Sequence, residues 1–150
     1  MFLLSNRFKL PGWCLAGIGS IAAVCYLVLD FQIVIPVFAI FSSFLETKVF
    51  TILRTNFADE MIMLTLLAGL FLVVFSKEKE ETPELNLTRA KAWSMALGTN
   101  SILLFISILF IYGTGFFAIL VLNLYSVFIF YLFIFYRLKW KTDKEHKGLA

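Results

Sequence analysis

Apolar and polar positions alternate along this chain in long blocks. Four apolar blocks, at about 13–29, 59–76, 93–112 and 116–136, are separated by short charged segments. At 1.5 Å per residue they measure roughly 24 to 32 Å, close to the roughly 30 Å hydrocarbon core of a bilayer, so each is predicted to be a transmembrane helix. A fifth block, FQIVIPVFAIFSSF from Phe31 to Phe44, is shorter and interrupted by Pro36. Its length predicts a re-entrant or interfacial segment. The stretch after it, SFLETKVFTILRTN, sets Leu45, Val49, Ile52 and Leu53 against Thr47, Thr51, Arg54 and Thr55, and Ser43 with Glu46 has capping-box spacing. Together these predict an amphipathic helix lying on the membrane surface. The fold class expected is an all-α integral membrane protein: four transmembrane helices, with an external re-entrant or interfacial segment and an amphipathic surface helix between spans 1 and 2.

Local signals place the helix starts. Asn56 is positioned to cap the second span, where Asp59 and Glu60 suit the positive end of the helix dipole. Thr82-Pro83-Glu84 reads as N-cap, first helical residue and first-turn acid, so the third helix is expected to begin about a dozen residues before the membrane. Trp93, Tyr136 and Trp140 are expected at the interface.

Composition agrees with this pattern. Of 150 residues 61% are hydrophobic, with mean hydropathy +0.90, more apolar surface than a soluble domain of this size buries. A single membrane domain, 1–150, is expected. Charge then supplies orientation. With four spans, eleven of the thirteen Lys and Arg fall on one side, in the N-terminus, the 77–92 loop and the 137–150 tail; a fifth span would split them nine to four. The positive-inside rule therefore predicts four spans, both termini cytoplasmic and segment 30–58 outside. Arg7 and Lys9 ahead of an apolar block imitate a signal peptide, but no small-x-small site closes the block. Cys14 and Cys25 lie eleven residues apart on one helix, roughly 16 Å along its axis, too far to bridge.

Several strings occur together: VFAIF at Val37 to Phe41, Asp59 and Glu60 opening a span, FSKEKEE at Phe75 to Glu81, an arginine before a Trp93-led helix containing Asn100, and Tyr112-Gly113 before a span with Asn123. Over roughly residues 37 to 136 the chain resembles a group of small, uncharacterised four-span bacterial inner-membrane proteins. The resemblance implies a multi-pass topology in the bacterial inner (plasma) membrane, and no activity.

Candidate chemistry is sparse. Gly12, Ala16 and Ser20 follow small-xxx-small spacing, with Gly19 and Ala23 as a second row, and are read as helix-packing positions, within the bundle or between copies. Asn100 and Asn123 are the strongly polar side chains deep in the spans. Counted inward from the interfacial aromatics, Asn100 and Ser126 lie at roughly 10 and 15 Å, Ser107 and Asn123 at roughly 21 and 20 Å, so the expected pairs are Asn100 with Ser126 and Ser107 with Asn123. Asp30, Asp59 and Glu60 form an external acidic group, read mainly as solvated, and Lys77 to Glu81 is expected to be a solvated loop.

One histidine, His146, excludes a multi-histidine metal centre, a bis-histidine haem and a Ser-His-Asp triad within one chain. No GxxxxGK[ST], HExxH or GxSxG string occurs. No Asp, Glu, Lys or Arg falls in mid-span, which disfavours a proton pump or ion-coupled transporter. The expectation is a non-enzymatic protein without cofactor or metal, acting as a subunit or scaffold of a membrane complex. Its partners would be membrane lipids and another membrane or cytosolic protein, or itself as a homo-oligomer, and no nucleic acid. The alternative is a small oligomeric channel or facilitator lined by Asn100 and Asn123.

Overall fold

A computed structural model of the chain describes residues 3–29, 31–42, 48–79 and 81–148. A 3-10 turn, Asn6–Phe8, leads into α1, Lys9–Leu29. Two strands follow, β1 (Val34–Ser42) and β2 (Lys48–Asn56), then α2 (Ala58–Phe75), α3 (Pro83–Phe110) and α4 (Thr114–Gly148). Four helical segments, Asn6–Leu29, Ala58–Phe75, Pro83–Phe110 and Gly115–Thr142, are long and apolar enough to cross a membrane. The last helix runs on through most of the basic tail.

Segment 31–56 departs from expectation. Where the apolar periodicity predicts a re-entrant segment and a surface helix, β1 and β2 form an antiparallel hairpin with Val34 opposite Asn56 and Ser42 opposite Lys48. Two physical reasons favour the strands. Ile35, Val37, Phe38 and Phe41 pair with a second run, Val49 to Thr55, also rich in β-branched and aromatic residues. A lone extended segment at the membrane edge would also leave its amides without partners, whereas the ladder satisfies one side of each strand. Pro36 is tolerated because a two-stranded sheet has only edges. The Ile40 and Phe50 pair drops out of the ladder where Phe50 takes φ 52°. Ser43 and Glu46, the expected capping box, and Asp30 lie outside the described residues.

Helix packing is organised in two pairs, α1 with α2 and α3 with α4, joined where α2 meets α4. The first pair is a small-residue seam. Gly12, Ala16 and Gly19 are buried on one face of α1. A Cβ added at Gly12 would lie 2.9 Å from the Val73 nitrogen, one at Gly19 would lie 2.9 Å from the Leu66 Cα, and one at Gly69 would collide with the backbone of Ala16. This seam mixes the two rows read from the sequence: Gly12, Ala16 and Gly19 share it, Ala23 is half-buried, and Ser20 is exposed and bonds back to the Ala16 carbonyl at 2.8 Å. The physical reason is the 3.6-residue period, which carries a face from i+4 to i+7, not to i+8.

The second pair turns on three residues, with Gly113 at φ 73°, a conformation that glycine adopts without steric cost. Between the pairs lies an aromatic core. Trp93 packs on Tyr131 at 4.6 Å, and Tyr131 stacks on Phe135 at 5.7 Å. Trp93 is thus packed between α2 and α4, against Phe75 and Tyr131. α2 and α4 are tied where the Tyr125 hydroxyl donates to the Met63 carbonyl at 3.0 Å.

Candidate functional site

At the end of the bundle where the N-terminus, the α2–α3 loop and α4 meet, charged groups are drawn inward. Leu4 pairs with the end of α2: its N–H donates to the Phe75 carbonyl at 2.7 Å, and the Lys77 N–H donates to the Leu4 carbonyl at 3.0 Å. The Asn6 amide donates to the Lys77 carbonyl at 2.8 Å. This places Glu78 between two ammonium groups, with Lys9 donating to one carboxylate oxygen and Lys139 to the other at 3.2 Å. Burial alone would push the Glu78 carboxyl up, but the two ammonium groups outweigh it and hold the carboxyl below its ordinary range. The loop expected to be solvated is therefore partly a buried clasp: only 11% of the Glu78 side chain is exposed.

Behind the clasp sits Arg89, 1% exposed. One of its terminal nitrogens donates to Glu81 at 2.8 Å, and both reach the Ser76 carbonyl at 3.4 Å. Its guanidinium also lies 5.1 Å from the Phe135 ring centre, a cation–π position. Sequence reading counted Arg89 only as a loop cation. A signal was present: Leu85, Arg89, Ala92 and Ala96, the buried residues of α3, are spaced as one helical stripe, so the arginine occupies a core position. The start of α3 follows its local signals, Thr82 capping Leu85 N–H at 3.3 Å with Pro83 in the first turn.

Deeper in the α3–α4 pair, the Asn100 amide donates to the Asn123 side-chain oxygen at 3.0 Å, and the Ser126 hydroxyl donates to the Asn100 side-chain oxygen. Asn123 also reaches the Asn100 carbonyl at 3.4 Å. Ser107 instead donates to the Leu103 carbonyl of its own helix at 2.8 Å. The expected Ser107–Asn123 pair does not form: Asn100 bonds both Asn123 and Ser126, so Asn123 lies at the level of Asn100, and Ser107, seven residues further along α3, stands roughly 10 Å away along the axis. The chemistry of this node is self-contained: the asparagines spend their groups on each other.

At the opposite end, Phe57 and not Asn56 holds the N-cap position of α2. The Asn56 oxygen still accepts from Ala58 N–H at 3.2 Å and from Ile33 N–H at 2.9 Å, while its amide donates to the Tyr26 hydroxyl at 3.1 Å. One side chain thus fastens the hairpin base to α1 and α2. Asp59 and Glu60 are half-buried, each with one oxygen lacking a hydrogen-bond partner. Among the described residues no group of three or more His, Cys, Asp or Glu is arranged to hold a metal ion.

The second residue that sequence reading missed is Gly69. Its signal was the Ala68-Gly69 pair, the small residues in an otherwise bulky span. No family model matches this chain, and neither does any curated protein or any solved structure.

Proposed function

We propose that this chain is a non-enzymatic subunit or scaffold of a complex in the bacterial inner membrane, with the Glu78 clasp and both termini cytoplasmic and the hairpin outside. The concentration of eleven of thirteen cations in the N-terminal segment, the α2–α3 loop and the tail supports that orientation. One observation carries the scaffold reading: the hairpin is apolar on its outer surface and open at its edges. Val34, Phe38, Ile40, Val49, Phe50 and Ile52 are each more than half exposed. Open strand edges cannot enter hydrocarbon, where unpaired amides have no partner, so the partner that fits is a protein strand adding to the edge. The channel alternative finds less support, since the Asn100 and Asn123 groups that would line a pore are bonded to each other.

The test replaces Phe38 and Ile52, which face each other across the ladder, by lysine. Light scattering of the detergent-purified protein should show the assembly falling to monomer with helical circular dichroism unchanged. An unaltered assembly would remove the hairpin from the reading, and flux through the wild-type protein in liposomes would favour the channel. Orientation is tested with single cysteines at Lys79, Lys144 and Thr47 in a chain lacking Cys14 and Cys25. An impermeant thiol reagent should label only the last in intact cells, and labelling at Lys79 alone would invert the topology.

A further inference from the structure

Because α1 packs on α2 and α4 packs on α3, a groove remains between α1 and α4 with α2 as its floor. It encloses about 760 Å³. Its walls are Gly17 and Ser20 of α1 and Ile129 and Phe133 of α4, with Leu66 and Leu70 beneath. The mouth, at the clasp end, is framed by Trp13, Tyr136, Arg137 and Trp140. Trp13 also lines a second, polar cavity of about 520 Å³ that contains Lys9, Lys79, Lys139 and Glu78. The cation at the mouth of the apolar groove itself is Arg137. We propose that it is a binding site for one anionic phospholipid, an acyl chain lying in the groove and the phosphate held at Arg137.

Three dimensions select this occupant. From Ile129 to Trp140 the groove runs eleven residues of α4, roughly 16 Å, about half of a roughly 30 Å hydrocarbon core and so the depth of one leaflet. Its walls are mainly apolar side chains and it stays open along its length, a shape that a flexible hydrocarbon chain can follow. Charge completes the match. Arg137 is exposed at the mouth among the aromatics Trp13, Tyr136 and Trp140, where anionic headgroups lie, whereas Lys9 and Lys139 are taken up by Glu78.

Gly17 makes the site testable, because a Cβ there meets nothing within 4 Å, whereas one at Gly12 or Gly19 would meet the backbone of α2. Gly17→Phe fills the groove without touching the α1–α2 seam. The full chain in mild detergent is titrated with dioleoylphosphatidylglycerol or dioleoylphosphatidylcholine and weighed by native mass spectrometry. The wild type should retain one phosphatidylglycerol at about fivefold or greater preference. Gly17→Phe should weaken that binding about tenfold with no loss of thermal stability, and Arg137→Gln should reduce phosphatidylglycerol to the phosphatidylcholine level. Gly98→Phe, on an open face of α3, should bind as the wild type does. Equal retention of the two lipids, or undiminished binding by Gly17→Phe, would overturn the site. So would a wild-type dimer that Gly17→Phe dissolves while lipid binding persists, which would assign the groove to a second copy. Recovery of the chain in the aqueous fraction without detergent would overturn the membrane reading on which the site rests, and is distinguishable from all of these.

Discussion

The two ends of the molecule are fastened in opposite ways. At the clasp end, three separate stretches of chain are held by buried charge: Lys9 and Lys139 on Glu78, and Arg89 on Glu81 and Ser76. At the hairpin end, Asn56 and Tyr26 carry side-chain bonds to the helices, and apolar strands stand exposed beyond them. The first arrangement fixes helix positions, since each charge withdrawn from water is tolerable only with its partner in place. The second leaves an element free to rearrange around another molecule. Ion pairs are concentrated at one end and exposed apolar surface at the other.

The largest effect is expected between the ends, in the α1–α2 seam. Gly69→Leu should destabilise the protein by more than about 3 kcal/mol, because the colliding atoms are backbone and cannot yield. Thermal unfolding in detergent measures it, with Gly17→Leu as the neutral control; similar melting temperatures for the two would mean that the seam is not closely packed. Next, Glu81→Gln should cost about 3 kcal/mol by leaving the Arg89 charge buried with only the Ser76 carbonyl and an aromatic face. Arg89→Met added to it should recover much of that loss. A double variant worse than the single one would show that the clasp end is held by hydrogen bonding and not by charge compensation.

A smaller effect follows pH. The folded protein holds the Glu78 carboxyl below its ordinary value, so the proton binds the unfolded chain more tightly. The stabilisation is complete above the ordinary carboxylate range, about pH 4.3, and is lost as pH falls through the lower folded value. Glu78→Gln should therefore cost about 1–2 kcal/mol at pH 7, and the cost should shrink as pH falls below the ordinary carboxylate range. A constant difference as pH falls would uncouple Glu78 from the two lysines. The smallest effect belongs to the hairpin: Asn56→Ala should lower global stability by about 1 kcal/mol or less while speeding amide exchange at Ile33 and Phe57. Faster exchange at Lys77 as well would mean that the two ends are coupled and the contrast between them is wrong.

How much of this was legible follows from what is local. A transmembrane helix satisfies its own backbone, so its length and apolarity are written in consecutive residues, and the four spans could be read. The Thr82 cap is equally local, and the level of Asn100 with Ser126 follows from counting rise along two helices joined by a short turn. The partner of Asn123 was misread because Trp93 and Tyr136, the two reference points for depth, do not stand at one level: Asn100, seven residues from Trp93, meets Asn123 and Ser126, thirteen and ten residues from Tyr136.

Segment 31–56 shows the limit on secondary structure. A short apolar run fits a helix or a strand, and only pairing with a second run decides between them. Arg89 shows the limit on burial: its spacing with Leu85 and Ala92 puts it on the inner stripe, yet only the arrival of Glu81, Ser76 and Phe135 from other elements makes burial of the charge tolerable. The sequence by itself determined which segments are long and apolar enough to cross a membrane, how the charges are distributed and where α3 begins, because those depend on neighbours in the chain. Only the tertiary structure decided that Gly69 faces Ala16, that the loop closes into a clasp and that α1 and α4 stand apart over a groove, because each depends on which helix faces which.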